Sequence, residues 1–422
     1  MSQISIIGAT LYGNRGAEAM LSAIVGQLRE RAGSGTTFNV FSYYPERDRG
    51  LTEGHDLVFH SATPRFLATV LFPTAILLRL ARLVRWSWLT HRLPSATQAL
   101  AASDVLVCLA GVSFVDGRRK FLPFNVATIA PALVLGVPVV KVAQAMGPFH
   151  SIVNRLTARV FLGRCERIFT RGAWTDRHVR DLLGSLEKIQ RADDVAFLFT
   201  PDYGLSRPGE GVDQALSAVI ARRNRGQLVI GVCPSVVVAG KAHRSGWDYA
   251  TRMQQLITAL VHDGHSVVLY PNATRGSDMN STHNNDLPLL HEILDGLPAE
   301  IRHEVIGCTG SINAAQVHEL IGACDLHVVA RFHAMVGALA QAVPVMVIGW
   351  SHKYLEVMEL LGQEDLVLDY AHGDLEPMLA TVRRLVDERA MRSMSIQHAL
   401  PAVRQRSSAQ IDFLAHLVGA PR

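Results

Sequence analysis

The sequence has little charge, no disulfide pattern and no long apolar run. Charged residues make up 18% of the 422 positions against 49% apolar ones, a balance that excludes a disordered chain and fits a globular one. Its five cysteines, Cys108, Cys165, Cys233, Cys308 and Cys324, are odd in number, scattered through apolar contexts and free of any C-x-x-C spacing. That excludes a disulfide framework and reads as reduced packing residues of a cytosolic protein. The opening MSQISIIGAT lacks a basic region and a cleavage site, so it reads as a first core strand and argues against secretion. The longest apolar run, Phe66–Leu78, is too short to span a bilayer and contains Pro73. No internal repeat or low-complexity tract is visible, and no cluster has metal-ligand spacing: His262 and His265 flank a glycine turn at a helix end and read as structural. The net charge of +4 is too weak and dispersed for nucleic acid, but suits an anionic substrate or a membrane surface.

What is present is a regular alternation of strand-like and helix-like patterns, which argues for parallel α/β units. Strands are expected at Ile4–Ala9, Phe38–Tyr43, Val105–Leu109, Val137–Val142 and Arg167–Thr170, with helices at Ala17–Arg31, Leu122–Leu135 and Trp174–Leu183. The pattern breaks in the Pro/Gly-rich stretch Thr200–Gly211. A second series follows, with strands at Leu228–Cys233, Ser266–Tyr270, Glu304–Ile306, Leu326–Ala330 and Val345–Ile348. This predicts two Rossmann-like domains facing a cleft, residues 1–200 and 212–390. The helical segment from Leu375 to Val418 braces the two halves, with residues 391–422 as a C-terminal helical extension.

The densest chemistry lies between Asp325 and Gly362. One strand ends at Arg331 and His333, where a small-residue helix begins, and the next ends at Ser351-His352-Lys353. Ligands of open α/β sheets bind beyond the strand C-termini. Arg331 and His333, at i and i+2 of an extended segment, point to one side. The helix start adds partial positive charge there, and arginine offers a donor fork matched to phosphate or carboxylate. The plainer reading is a helix-start arginine paired with a local acid.

Four further segments end strands with polar or glycine-rich turns. The turn Gly8 to Ala19, containing Gly13, Asn14, Arg15, Gly16 and Glu18, is neither a dinucleotide fingerprint nor a Walker loop. It either lets a ligand approach the backbone or is a tight strand-to-helix turn. Asp116, after Ala110-Gly111-Val112-Ser113, is a base for a sugar hydroxyl or, as residue physics favours, a helix cap. Gln144 precedes a Gly-Pro turn, and Arg171 closes another strand as an anion ligand or an ion-pair residue. Finally, Arg79, Arg82 and Arg85 recur every three residues within the apolar segment 66–89. They form either an interfacial amphipathic helix or, in the favoured reading, an ordinary helix covering the sheet.

In order and spacing these segments resemble the polysaccharide pyruvyl transferases. The resemblance runs through Asn14–Ala19, Ala110–Asp116, Gln144–Phe149, Arg171, Asp194–Phe197, Arg331-Phe332-His333 and Lys353, and covers roughly residues 4–362. It implies a GT-B-like fold and transfer of pyruvate from phosphoenolpyruvate to a sugar as a ketal. Phosphoenolpyruvate is then a co-substrate with no further cofactor or metal, and the acceptor is a sugar or lipid-linked oligosaccharide. Arg171, Arg331 and His333 are implied donor ligands. Arg331 and Lys353 would take the phosphate, Arg171 the carboxylate, and His333 would supply the proton, with Asp116 or Glu18 as base. Asn14, Arg15, Gly16 and Gln144 complete the expected substrate set. Where the family often has a glycine pair or triplet, this chain has Ala110-Gly111. Two other readings stand beside it: a nucleotide-sugar glycosyltransferase using Glu356 or Glu359 on ribose, and a non-catalytic polysaccharide-assembly protein. The expected location is cytoplasmic, with peripheral contact at the inner membrane face through 66–89 as an option.

Overall fold

The computed structural model describes residues 2–419 apart from 34, 53–55, 87, 89–91, 277 and 280–283; the end of the 66–89 segment therefore lies partly outside the described residues. The chain forms two compact units. The first comprises Met1–Leu11, Met20–Leu198 and Arg404–Arg422, and the second Tyr12–Ala19 and Phe199–Val403.

The first unit is built on a parallel sheet of seven strands: β1 (Gln3–Ile7), β2 (Thr37–Ser42), β3 (Leu57–Ser61), β4 (Val105–Cys108), β5 (Val139–Gln144), β6 (Arg167–Arg171) and β7 (Ile189–Ala192). Their order is β3-β2-β1-β4-β5-β6-β7. The second carries a parallel sheet of β8 (Val229–Cys233), β9 (Ser266–Leu269), β10 (Val305–Gly307), β11 (Leu326–Val329), β12 (Val345–Gly349) and β13 (Val367–Asp369), ordered β10-β9-β8-β11-β12-β13. Both orders reverse once, between β1 and β4 and between β8 and β11, which makes the C-terminal ends of those strands the natural ligand edges. Central strands such as β4, β5, β8 and β12 are buried along their whole length, as expected for a parallel sheet covered on both faces.

Three strands escape the sequence reading: β3, β7 and β13. All are outermost in their sheets, and half-wet edge positions such as Gln190 and Arg191 break the apolar run that marks an inner strand. The single helix expected over Leu122–Leu135 is two, Leu122–Ala127 and Ala130–Leu135, because Pro131 has no N–H for the carbonyl four residues back. The end of the chain is one helix, Leu375–Gly419, with Pro401 inside it, in line with the helical segment expected over Leu375–Val418.

The apolar segment also differs. Pro64–Leu83 is helical over 20 residues and, among the described residues, is long and apolar enough by length and composition to cross a membrane. A π-turn at Leu67–Leu71 just before Pro73 keeps it continuous, since the wider turn absorbs the missing proline hydrogen bond. Arg85 lies beyond the helix end at φ 58°, so only Arg79 and Arg82 of the three-residue series share its surface.

Candidate functional site

In the second unit, Arg331 follows β11 in extended conformation and is the N-cap of the helix Phe332–Ala340. His333 is already inside that helix, so the extended i, i+2 geometry expected for the pair does not hold. The two side chains are aimed by different partners instead. The Arg331 Nε donates to both Asp286 oxygens at 3.1 and 2.9 Å, Nη2 also donates to Asp286, and Nη1 donates to Asn284 Oδ1 at 2.7 Å. These bonds occupy three of the five guanidinium N–H groups. Burial works against the charge on Arg331, but Asp286 outweighs it and holds the guanidinium protonated.

Asp286 is itself fully buried and accepts the backbone N–H of Val236 at 3.1 Å and of Ala273 at 2.9 Å. One carboxylate thus fastens the chain beyond β8, β9 and β11. Removing one member of such a pair leaves an uncompensated buried charge, a loss of about 3–5 kcal/mol.

The turn at 13–16 closes on this edge. Asn14 Oδ1 accepts the N–H of Gly16 at 3.0 Å and of Ala17 at 3.3 Å, capping the helix Arg15–Ala32. A Cβ on Gly16 would lie 2.1 Å from His333 Nδ1, so the imidazole rests on a backbone that only glycine leaves bare. Gly13, at φ 83°, is approached in the same way by the Arg275 guanidinium, which also lies 5.7 Å from the Tyr12 ring. Arg15 and Glu18 form a buried ion pair at 2.8 Å; Arg15 also donates to the Ile312 carbonyl at 2.8 Å, and Ser206 donates to Glu18. These bonds make Glu18 a structural anchor before it is a base. Lys353, in the helix His352–Glu359 after β12, has its ammonium 4.6 Å from the Phe332 ring centre and 5.0 Å from that of Trp350, a cation–π setting. Glu356 is buried at 3.9 Å from His352, and Glu359 is exposed.

In the first unit the expected residues are tied into the fold. Gln144 is fully buried: its carbonyl accepts the Ser113 hydroxyl at 2.6 Å and its amide donates to the Cys108 carbonyl at 3.1 Å. Arg171 caps the helix Gly172–Leu183 and donates to Asp194 at 2.6 Å and to the Gly111 carbonyl at 3.0 Å. Asp116 accepts the N–H of His150 at 2.6 Å, the N–H of Ser151 at 3.1 Å and the Asn154 amide at 2.8 Å. It thereby caps the helix Ile152–Leu162 rather than the one next in sequence. Partial desolvation opposes its ionisation, but these hydrogen bonds prevail and hold the carboxyl below the usual range, which weakens it as a base. Beside these residues a cavity of about 210 Å³ opens at the β1/β4 switch point, lined by Gly8, Ala110, Ser113, Arg118, Asn125 and Thr128 among others. A larger groove of about 630 Å³ runs past Thr251, His262 and Arg383 in the second unit and includes none of the strand-end cations.

The second unit therefore brings Arg331, His333, Lys353 and the 13–16 turn to one sheet edge and adds Arg275, Asn284 and Asp286, which sequence reasoning missed. Arg275 stands in the polar turn Asn272–Gly276 after β9, where no glycine fingerprint or strand-end cation pair marks it in the sequence. The first unit holds Arg171, Gln144 and Asp116.

Two parallel sheets with this topology define the class as GT-B. Over their whole lengths the structure resembles a putative UDP-N-acetylglucosamine 2-epimerase from Listeria monocytogenes, at 12% identity and a TM-score of 0.61 over 100% of this chain and 98% of that one. It also resembles an α,α-trehalose-phosphate synthase (UDP-forming) from Burkholderia vietnamiensis, at 11% identity and a TM-score of 0.55 over 100% of both chains. Such low identity speaks for the fold alone. The polysaccharide pyruvyl transferase profile matches residues 14–352, and the chain belongs to that family. The amylovoran biosynthesis protein AmsJ of Erwinia amylovora is 21% identical over 273 residues, 65% of this chain and 63% of that protein. The match thus spans a little under two thirds of the relative's length.

Proposed function

We propose that the protein transfers the enolpyruvyl group of phosphoenolpyruvate to a sugar of a cell-surface polysaccharide or its precursor, forming a pyruvate ketal and releasing phosphate in the cytoplasm. Family membership supports the reaction class. The observation that carries the donor assignment is the cluster of Arg331, Lys353 and His333 around the N-terminus of the helix Phe332–Ala340. Phosphoenolpyruvate presents a phosphate and a carboxylate close together, and charge-assisted hydrogen bonds to such groups contribute about 1.5–3 kcal/mol each. Arg331 and Lys353 take the phosphate. Arg171, a donor ligand by family resemblance, takes the carboxylate, and Arg275 is the second candidate for it.

In the proposed chemistry His333 protonates the methylene carbon, which becomes the methyl group and leaves an oxocarbenium-like centre at C2. Two sugar hydroxyls add to that centre in turn as the C–O bond to phosphate breaks. One hydroxyl proton restores the histidine and the other leaves with phosphate. Histidine suits a proton donor near neutral pH. The cavity of about 210 Å³ at the first switch point, with Ser113, Asn125 and Thr128 in its wall, is the proposed acceptor pocket.

The direct test is incubation with phosphoenolpyruvate and candidate oligosaccharides, following phosphate release and a pyruvyl ketal mass increase. Nucleotide release from a sugar donor without phosphate release from phosphoenolpyruvate would overturn the reading. In deuterium oxide the wild type should label the pyruvyl methyl group and His333→Gln should not. An active His333→Gln protein with unchanged labelling would remove the histidine from the acid role.

A further inference from the structure

Acidic residues are absent from two long stretches of the first unit: no Asp or Glu occurs from 57 to 103 or from 117 to 165. The same stretches carry ten arginines, five in each. Both contribute helices to one layer on one side of the sheet. Helix Phe72–Leu83 packs on Ala130–Leu135, which neighbours Leu122–Ala127, which in turn neighbours Ile152–Leu162. Their inward residues, including Leu71, Leu78, Leu122, Leu135, Ala158 and Leu162, share a single core. The outward residues of that layer are therefore the ones to explain.

They are apolar and cationic together. Leu80 is 54% exposed, Leu83 67%, Trp86 54%, Ile152 63% and Leu156 58%, with Arg79, Arg82, Arg155 and Arg159 exposed among them. Exposed apolar side chains gathered on the helices of one layer mark an interaction site. Nucleic acid would match the arginines but not the leucines and tryptophan between them. Apolar side chains, interfacial tryptophan and arginines without acids are instead what a helix face needs to sit in the headgroup layer of an anionic bilayer. A spanning helix is a poorer fit, since Leu67, Leu71, Ala75 and Leu78 would have to leave the core they fill.

We propose that this face, formed by Pro64–Trp86 and Ile152–Arg164, docks the enzyme peripherally on an anionic phospholipid surface. The inference concerns a surface apart from the donor residues and stands whether or not the proposed reaction does. The test is sedimentation of the full-length protein with vesicles of phosphatidylcholine alone or mixed with phosphatidylglycerol. Binding should be at least about tenfold tighter to the anionic vesicles and should fall steeply with salt. The combined Arg79→Glu, Arg82→Glu, Arg155→Glu and Arg159→Glu variant should bind on the order of 100-fold more weakly with an unchanged circular dichroism spectrum. Leu83→Ser with Leu156→Ser should also weaken binding. Equal affinity for both vesicle types, or retention of the bound protein in high salt and alkaline carbonate, would overturn peripheral electrostatic docking. So would a solution dimer that dissociates in the leucine variant, because the face would then belong to a second copy of the chain.

Discussion

The two units use the same local device to different ends. In each, a central strand closes on an arginine that caps the next helix and is gripped by a buried aspartate: Arg171 by Asp194, Arg331 by Asp286. Around Arg171 the neighbouring polar groups are occupied in joining backbone segments, with Gln144 bridging β4 and β5 and Asp116 capping Ile152–Leu162. Around Arg331 stand a histidine laid on Gly16, a lysine among aromatic rings and Arg275 against Gly13. A strand-end arginine is therefore not a functional signal in itself. What converts it into one is the company of further cations at the same sheet edge, since a buried aspartate largely offsets the charge it holds.

The sharpest way to break this comparison is Arg331→Ala. It should lower turnover on the order of 100-fold by removing charge-assisted donor contacts, and destabilise the protein by about 3–5 kcal/mol by leaving Asp286 unpaired. Phosphate-release kinetics and thermal unfolding check the two effects; near-normal activity would remove Arg331 from the site.

Acid should expose a second difference. Burial pushes His327, in β11, down to about 4, so its imidazole is neutral when folded and takes a proton when unfolded below pH about 6.5. The folded pKa lies below the unfolded one, so the stabilisation is complete above about 6.5 and is lost as pH falls from there toward 4. The loss amounts to about 3 kcal/mol, and hydrogen exchange at pH 5 should show the second sheet opening more readily than at pH 7. Equal protection at both values would contradict it.

Gly16→Ala should come next, cutting kcat roughly 10–100-fold and lowering the melting temperature, because the new methyl meets both the His333 ring and its Cβ and ring rotation alone cannot clear it. Wild-type kcat would detach the glycine from the histidine. Arg171→Lys keeps a charge but loses the fork to Asp194 and Gly111. We expect KM for phosphoenolpyruvate to rise about tenfold along with a lower melting temperature. A destabilised variant with wild-type KM would make Arg171 a purely structural clamp. The smallest effect belongs to Asp116→Ala, where losing the cap on Ile152–Leu162 should cost about 1 kcal/mol and leave the chemistry intact. A fall in kcat beyond about tenfold at unchanged stability would restore Asp116 as a base.

The sequence by itself determined the α/β class, the inner strands of both sheets and the strand-end segments that carry polar residues. Those signals are local: continuous apolar runs, glycine turns and a basic residue where a strand stops. It missed β3, β7 and β13, because an edge strand is half wet and loses the apolar run. It also missed Asp286 and Arg275, because parallel connections bring together strand ends that lie tens of residues apart in sequence. Only the tertiary structure decided that the Asn14–Glu18 turn belongs with the second unit. The same is true of Gln144, Asp116 and Glu18, which are held by the fold before any ligand arrives, and of Arg331, whose partner is an aspartate 45 residues upstream. The physical reason is that a side chain's type fixes what it can bond, while packing fixes which partner is within 3 Å of it.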